Sequence, residues 1–330
     1  MSDSQAQVLL TNDDGVDSPG LAALYEELRA VAAVTVVAPV EDQSGVGRSR
    51  SRAVDVDDHE WGHAVHGTPA DCVAYGLRSL STDFDLVVSG CNLGPNCGEY
   101  IMGHSGTVGA AVEAAYLGTP ALAVSAYHRE EFFPPEAFTF EVPARITRLL
   151  AAHVLGDGAG DGDGDDTTPE SGDSGTTSPV GTGDATAAGA ADAATGAASR
   201  ADLADADYLS VNAPVGGGGE LRLTEPLANY AVDVREATAE ERETYDGDVR
   251  LESDFWARLD QPDRHPTLER VGDTYPAWSD RAAVVNGDVS VSPLRVPQTP
   301  VHSEALDALV SAANRAWLAE REATAAADDD

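Results

Sequence analysis

Lysine is absent. All 20 basic side chains of the 330-residue chain are arginine, set against 57 Asp and Glu, for a formal charge of −37. Such a charge argues against binding to a nucleic-acid polymer, whose phosphates would be repelled. Hydrophobic residues nevertheless make up 42% of the chain, so it is not simply an acidic disordered segment. Acids dispersed along the whole length, with lysine removed, are what a protein adapted to very high salt carries. Concentrated ions screen the self-repulsion, with a Debye length of roughly 3 Å at 1 M. The alternative is an acidic protein with a dedicated basic partner. Cysteine is scarce as well: Cys72, Cys91 and Cys97 are odd in number and match no common zinc spacing. Free thiols in a reducing cytoplasm are therefore expected. Long apolar runs are missing, since no stretch approaches the ~20 residues of a membrane span. No signal peptide is read before the first strand-like run, so the expectation is a soluble, cytoplasmic protein.

What is present is a regular alternation over the first 130 residues. Val8–Leu10 reads as a buried strand, followed by a turn carrying Asp13, Asp14 and Gly15. A helix starts near Pro19, with Leu21, Leu24, Tyr25 and Leu28 at helical spacing. Val34–Ala38 and Leu86–Val88 read as strands, 71–80 and 106–117 as helices, and Ala121–Ser125 as a further strand. Strands alternating with helices imply an α/β fold with a doubly wound, mainly parallel sheet. In such sheets ligands bind beyond the carboxyl ends of the strands, which is where the unusual loops fall.

Three regions follow from this reading: a metal- and phosphate-binding core over 1–155, an insertion over 156–200, and a C-terminal part over 201–330. The insertion holds 11 Gly and nine acids without an aromatic residue, a composition that suits a flexible solvated segment. The last region would complete the core with strand-like runs near Tyr208, Glu220–Thr224 and Val289–Leu294. A projecting arm rich in Trp, Tyr, Pro and charge is expected at about 240–280. Ser303 to about Ala323 reads as an amphipathic helix with Leu306, Leu309, Val310, Ala313 and Trp317 on one face.

The chemistry lies in the loops. Adjacent Asp13 and Asp14 after the first strand are costly to hold together unless a cation neutralises them, and oxygen ligands suit Mg²⁺ or Mn²⁺. A plain turn is an equally good reading of Asn-Asp-Asp-Gly taken alone. The loop Asp42-Gln43-Ser44-Gly45-Val46-Gly47-Arg48-Ser49 offers amides, hydroxyls and an arginine to phosphate oxygens. After the strand ending at Ser89, Asn92 can lend a neutral carbonyl oxygen to a metal, and Asn96 can meet a phosphate or an attacking water. His104-Ser105-Gly106-Thr107 opens a helix whose N–H groups and dipole favour an anion. Gly67-Thr68-Pro69-Ala70-Asp71 opens another, with Asp71 as a dipole partner or cap.

In this order, the segments 10–20, 38–45, Gly67–Val73, Val88–Asn96 and His104–Val108 resemble the SurE family of survival-protein phosphatases. Ser279-Asp280 through Leu294 is similar to that family's C-terminal signature. The resemblance covers 8–130 and 208–296. It implies a Rossmann-like core and a 5′/3′-nucleotidase acting on nucleoside monophosphates. It further implies one divalent cation per subunit, held by Asp13, Asp14, Ser44 and Asn92. Gly45, Asn96, Ser105, Gly106 and Thr107 fall in the family's phosphate-binding region, and Asp13, Asp14, Asn96 and Ser105 are the expected catalytic residues. Members exchange their C-terminal segment within a dimer, so a homodimer or homotetramer is implied. The insertion and the arm depart from the pattern. Two rivals stay open: a phosphatase passing through an aspartyl-phosphate, and a nucleotide-sensing module without catalysis.

Overall fold

The computed structural model describes residues 5–128, 139–156, 203, 206–216, 219–228, 231–254 and 275–296. The chain divides into two compact units, Met1–Arg295 and Val296–Asp330, and the architecture below is that of the first. The expected insertion beyond Gly156, the arm residues 255–274 and the terminal helix over 303–323 lie outside the described residues.

The first strand, β1 (Gln7–Thr11), is apolar on both faces, with Val8, Leu9 and Leu10 fully buried. Such a strand must be central, with helices on either side. It pairs in parallel with β2 (Ala33–Pro39) on one edge and β5 (Leu86–Leu93) on the other. A nine-stranded sheet grows outward from it. Beyond β2 come β4 (Gly62–Val65) and β3 (Val56–His59). Beyond β5 come β6 (Ala121–Tyr127), β7 (Tyr208–Pro214), β11 (Val289–Leu294) and β8 (Leu221–Leu223). The β3–β4 and β7–β11 pairs are antiparallel, and every other pair is parallel.

Helices cover both faces. α1 (Pro19–Leu28) packs beside α5 (Glu141–Val154), and α2 (Pro69–Ser79) beside α4 (Gly106–Tyr116). α1 buries Leu21, Leu24 and Leu28 against the sheet, and Tyr25 stacks on Trp61 with ring centroids 4.6 Å apart. Its start is set by Ser18, whose hydroxyl accepts from the Leu21 N–H, and by Pro19, whose missing N–H costs nothing in a first turn. α4 is nearly all Gly, Ala and Val on its buried side, which lets its backbone lie close to β5 and β6.

The expected doubly wound, mainly parallel α/β architecture is present, with two differences of detail. Residues 56–65 form an edge hairpin that the polar, acidic sequence there does not suggest. β5 also runs four residues past Ser89, with a register irregularity between Ser89 and Asn92, so Gly90–Asn92 belong to a strand end rather than a loop. A second sheet of two strands, β9 (Ala231–Glu236) and β10 (Val249–Asp254), flanks α6 (Ala239–Tyr245) in the chain.

The chain leaves β1 towards β2 and returns on β1's other side as β5. The loops following β1 and β5 therefore run in opposite directions and leave a crevice between them, the place where doubly wound sheets bind ligands. Asp13 and Asp14 stand at one lip of it and Asn92 at the other. Among the described residues no helix is long and apolar enough to cross a membrane.

Candidate active site

Asn12 shapes the first loop. Its amide donates to the Gly15 carbonyl at 2.8 Å and to the Ser18 hydroxyl at 2.7 Å, bending the chain so that Asp13 and Asp14 sit at the strand's end. Asp13 is buried and binds the start of α4: its Oδ2 accepts from the Thr107 N–H at 3.0 Å and its Oδ1 from the Thr107 hydroxyl at 2.5 Å. Gly106 is required beside it, because a Cβ there would lie 2.8 Å from Asp13 Cβ and Oδ2. The Asp13 carbonyl accepts from the Gln43 N–H at 2.7 Å, which fastens the second loop to the first.

These carboxylates crowd one another. Burial lifts the Asp14 pKa, the charges of Asp13 and Asp42 lift it further, and a hydrogen bond from Leu93 only partly offsets them, leaving it at about 7. Burial also raises Asp13, against the two hydrogen bonds from Thr107. A cation bound here would remove that cost by favouring the ionised forms. Among the described residues no group of three or more His, Cys, Asp and Glu side chains is arranged to hold a metal ion. A cation at Asp13 and Asp14 would thus complete its shell with neutral oxygens. Asn92 supplies one: its amide nitrogen donates to the Gly94 carbonyl at 2.6 Å, so the side-chain oxygen is the atom it can offer. Ser44, exposed and hydrogen-bonded to Asp42 through its hydroxyl at 2.6 Å, is a second neutral oxygen that could turn to such a cation. The donor set is all oxygen and fits a hard divalent cation.

The phosphate side is narrower than the helix start alone suggests. The Ser105 hydroxyl caps α4 by accepting from the Val108 N–H at 3.1 Å, and both Thr107 donors go to Asp13. What remains to meet an anion is the Gly106 N–H and the proton of the Ser105 hydroxyl. Gly45 is exposed, with a left-handed φ of 77° and nothing within 4 Å of where a Cβ would lie, so its backbone faces open space. Asn96 is buried. Its side-chain amide donates to the Ser125 hydroxyl at 2.9 Å and its backbone N–H to Asn212 Oδ1 at 2.8 Å, so its side-chain oxygen is the atom left to meet a water.

Known proteins similar to this chain can be named. The family described as Survival protein SurE matches residues 8–232. The chain belongs to the SurE family. It is 41% identical over 314 residues to the 5′-nucleotidase SurE of Natronomonas pharaonis, covering 92% of this chain and 97% of that one. With the 5′-nucleotidase SurE of Haloarcula marismortui it shares 41% identity over 314 residues, covering 92% and 93%. The crystal structure of the SurE protein from Aquifex aeolicus superimposes with a TM-score of 0.60 at 29% identity, covering 89% of this chain and 94% of that one.

Two site-shaping residues of this SurE chain escape a sequence reading. Asn212, on β7, accepts from the Asn96 N–H and returns a longer contact of 3.4 Å to the Asn96 carbonyl, 116 residues away. Asp280, buried at the start of α7 (Asp280–Asn286), accepts from the Gly98 N–H at 2.5 Å and the Leu227 N–H at 3.2 Å, anchoring the chain beyond Asn96. Burial raises the Asp280 pKa against those hydrogen bonds. For Asn212 the local signal was a polar residue inside an apolar strand run; Asp280 was visible as part of the C-terminal signature, but its partners were not.

Proposed function

We propose that this chain is a metal-dependent phosphomonoesterase that hydrolyses nucleoside 5′-monophosphates, and their 3′ counterparts, to nucleoside and phosphate. The observation that carries the reading is the crowded Asp13–Asp14 pair at the end of β1, fastened by Thr107 to the helix start that presents Ser105 and Gly106. The relatives named 5′-nucleotidase SurE support the substrate class.

Asp13, Asp14, Ser44 and Asn92 would hold one Mg²⁺ or Mn²⁺ per subunit. A divalent cation, when bound, neutralises charge on the phosphoryl group and lowers the pKa of a coordinated water. The Gly106 N–H, the Ser105 hydroxyl and the backbone of Gly45 would meet the phosphate oxygens, stabilising charge that grows on them during transfer. Thr107 acts through Asp13, whose direction it sets. Asn96, held by Ser125 and Asn212, orients the attacking water with its side-chain oxygen.

The protein works in the cytoplasm as a homodimer or homotetramer in this reading, with the segment after Pro300 exchanged between subunits. An exposed apolar face supports assembly: among the described residues Val232, Val234, Val249 and Leu251 lie on one face of the β9–β10 pair, each 46% or more exposed. The buried free thiols suit a reducing compartment.

The deciding experiment measures phosphate release from a panel of 5′- and 3′-nucleoside monophosphates in molar KCl with Mg²⁺, Mn²⁺ or EDTA. Metal-restored release is expected, with none in EDTA. Nucleotide binding without phosphate release under any metal would replace catalysis with a sensing role. Sedimentation of the chain truncated after Pro300 tests the assembly, and an unchanged oligomer would remove the exchanged segment from it.

A further inference from the structure

The Gly67–Asp71 motif has no place in the catalytic reading, yet its side chains reach into the second site loop. That loop leaves β2 at Pro39 and carries Ser44 and Gly45 at an exposed apex with no packing under Gly45. The position of the apex is therefore decided by its two limbs. Before the apex the loop is pinned by Gln43 on the Asp13 carbonyl, and just after it by the Gly47 N–H on the His104 carbonyl at 3.0 Å. Gly47 lies so close to α4 that a Cβ on Gly109 would sit 2.5 Å from its oxygen.

The far limb, Ser49–Ser51, is held from two helices. On α2, Asp71 Oδ1 accepts from the Ser51 N–H at 2.9 Å and Arg50 Nε at 3.3 Å, while Oδ2 accepts from the Thr68 N–H at 3.0 Å. The Thr68 hydroxyl donates to the Ser49 carbonyl at 2.6 Å. On α4, Glu113 accepts from Arg50 at 2.6 Å and Arg48 at 3.4 Å, and Arg48 lies over the Tyr116 ring. Asp71 and Glu113 are both buried, so their charges face these donors rather than water. A helix cap needs only Oδ2 of Asp71. The other carboxylate oxygen, and the whole of Glu113, are spent on the loop.

We propose that Asp71 and Glu113 are positioning residues that hold the Ser44–Gly45 apex against the Asp13–Asp14 pair by gripping the loop's far limb. The proposal rests on the metal reading given above. Groups hydrogen-bonded directly to a ligand commonly change metal affinity 10–100-fold when removed, and these two, acting through the loop's far limb, belong at the low end of that range.

The test is calorimetric titration of the full chain with Mn²⁺ in molar KCl, beside thermal melting. Asp71→Asn keeps one oxygen for the Thr68 N–H and loses the acceptor for Ser51. It should weaken Mn²⁺ binding about tenfold. Glu113→Gln should weaken it severalfold and repeats the test without touching the helix cap. Ser44→Ala should weaken binding too, and adding Asp71→Asn to it should produce little further loss, because both act through the same ligand. A lower melting temperature with unchanged Mn²⁺ affinity in Asp71→Asn and Glu113→Gln would overturn the proposal, as would fully additive losses in the double variant. Mn²⁺ binding that vanishes in Asp14→Asn but survives both positioning variants would overturn this role alone. A wild-type chain that binds no Mn²⁺ would overturn the metal reading and this role with it.

Discussion

Thr107 binds both oxygens of Asp13, one through its backbone N–H and one through its hydroxyl, across 94 residues of chain. The contact joins the end of the first strand to the start of α4. It converts a helix start that would otherwise attract anions indiscriminately into a support for one carboxylate. Thr107→Val keeps the shape and the N–H but removes the hydroxyl. Leaving a buried carboxylate short of a donor costs about 1–3 kcal/mol, so denaturant unfolding should move by that amount. Activity should fall about tenfold or more as Asp13 loses its direction. Unchanged kcat and stability would show that the hydroxyl contact is dispensable.

Asp14→Asn should leave the fold intact, since it relieves the charge crowding with Asp13 and Asp42, but abolish most turnover. An amide cannot replace a carboxylate's charge at a hard cation. A loss of roughly 10²-fold or more is expected even at high Mn²⁺. Near-wild-type phosphate release at saturating Mn²⁺ would remove Asp14 from the ligand set.

Gly106→Ala places a methyl group 2.8 Å from Asp13 Cβ and Oδ2, within a contact that real Cβ atoms do not make. Either the aspartate or the helix start must shift. Because a displacement of about 1 Å near reacting groups can cost on the order of 10²-fold, activity should drop far more than melting temperature. Parallel losses in both would point to a general packing defect instead.

Asp71 is raised by burial, yet hydrogen bonds from Thr68 and Ser51 outweigh that and leave its pKa below the ordinary 3.8. Its contribution to stability is therefore fully present above pH 3.8 and is lost as the pH falls through the lower folded value. Melting temperature against pH should fall steeply for the wild type below about pH 4. For Asp71→Asn it should start lower at neutral pH and fall less on acidification. Parallel curves would mean that Asp71 titrates alike in both states.

Deleting 157–198 with a short linker should leave activity and melting temperature nearly unchanged. A Gly- and acid-rich segment without aromatic residues lacks the apolar surface to build a core, and loop length costs only slowly growing entropy. Loss of soluble protein on deletion would assign the segment a structural duty.

The features legible in the sequence are those with local causes. Helix starts were visible because Ser18, Thr68 and Ser105 cap the turns that follow them, two of them with proline next. The central strands were visible because Val8–Leu10 and Leu86–Val88 are continuous apolar runs, and the Asp13–Asp14 turn announced itself by the cost of adjacent charges. The sequence by itself thus determined the central strands and the helices between them, the parallel α/β class and the loops that carry the chemistry. It did not determine which groups those loops use on one another. That Thr107 gives both donors to Asp13, that Asn212 holds Asn96 across 116 residues, and that one oxygen of Asp71 serves a loop rather than its own helix were decided by tertiary structure. The physical reason is that a hydrogen-bonding side chain carries no mark of its partner: capping, turn and distant-anchor roles ask for the same Asp, Asn and Thr. Only the placing of β5 beside β1, with α4 behind them, brings the right pairs within 3 Å.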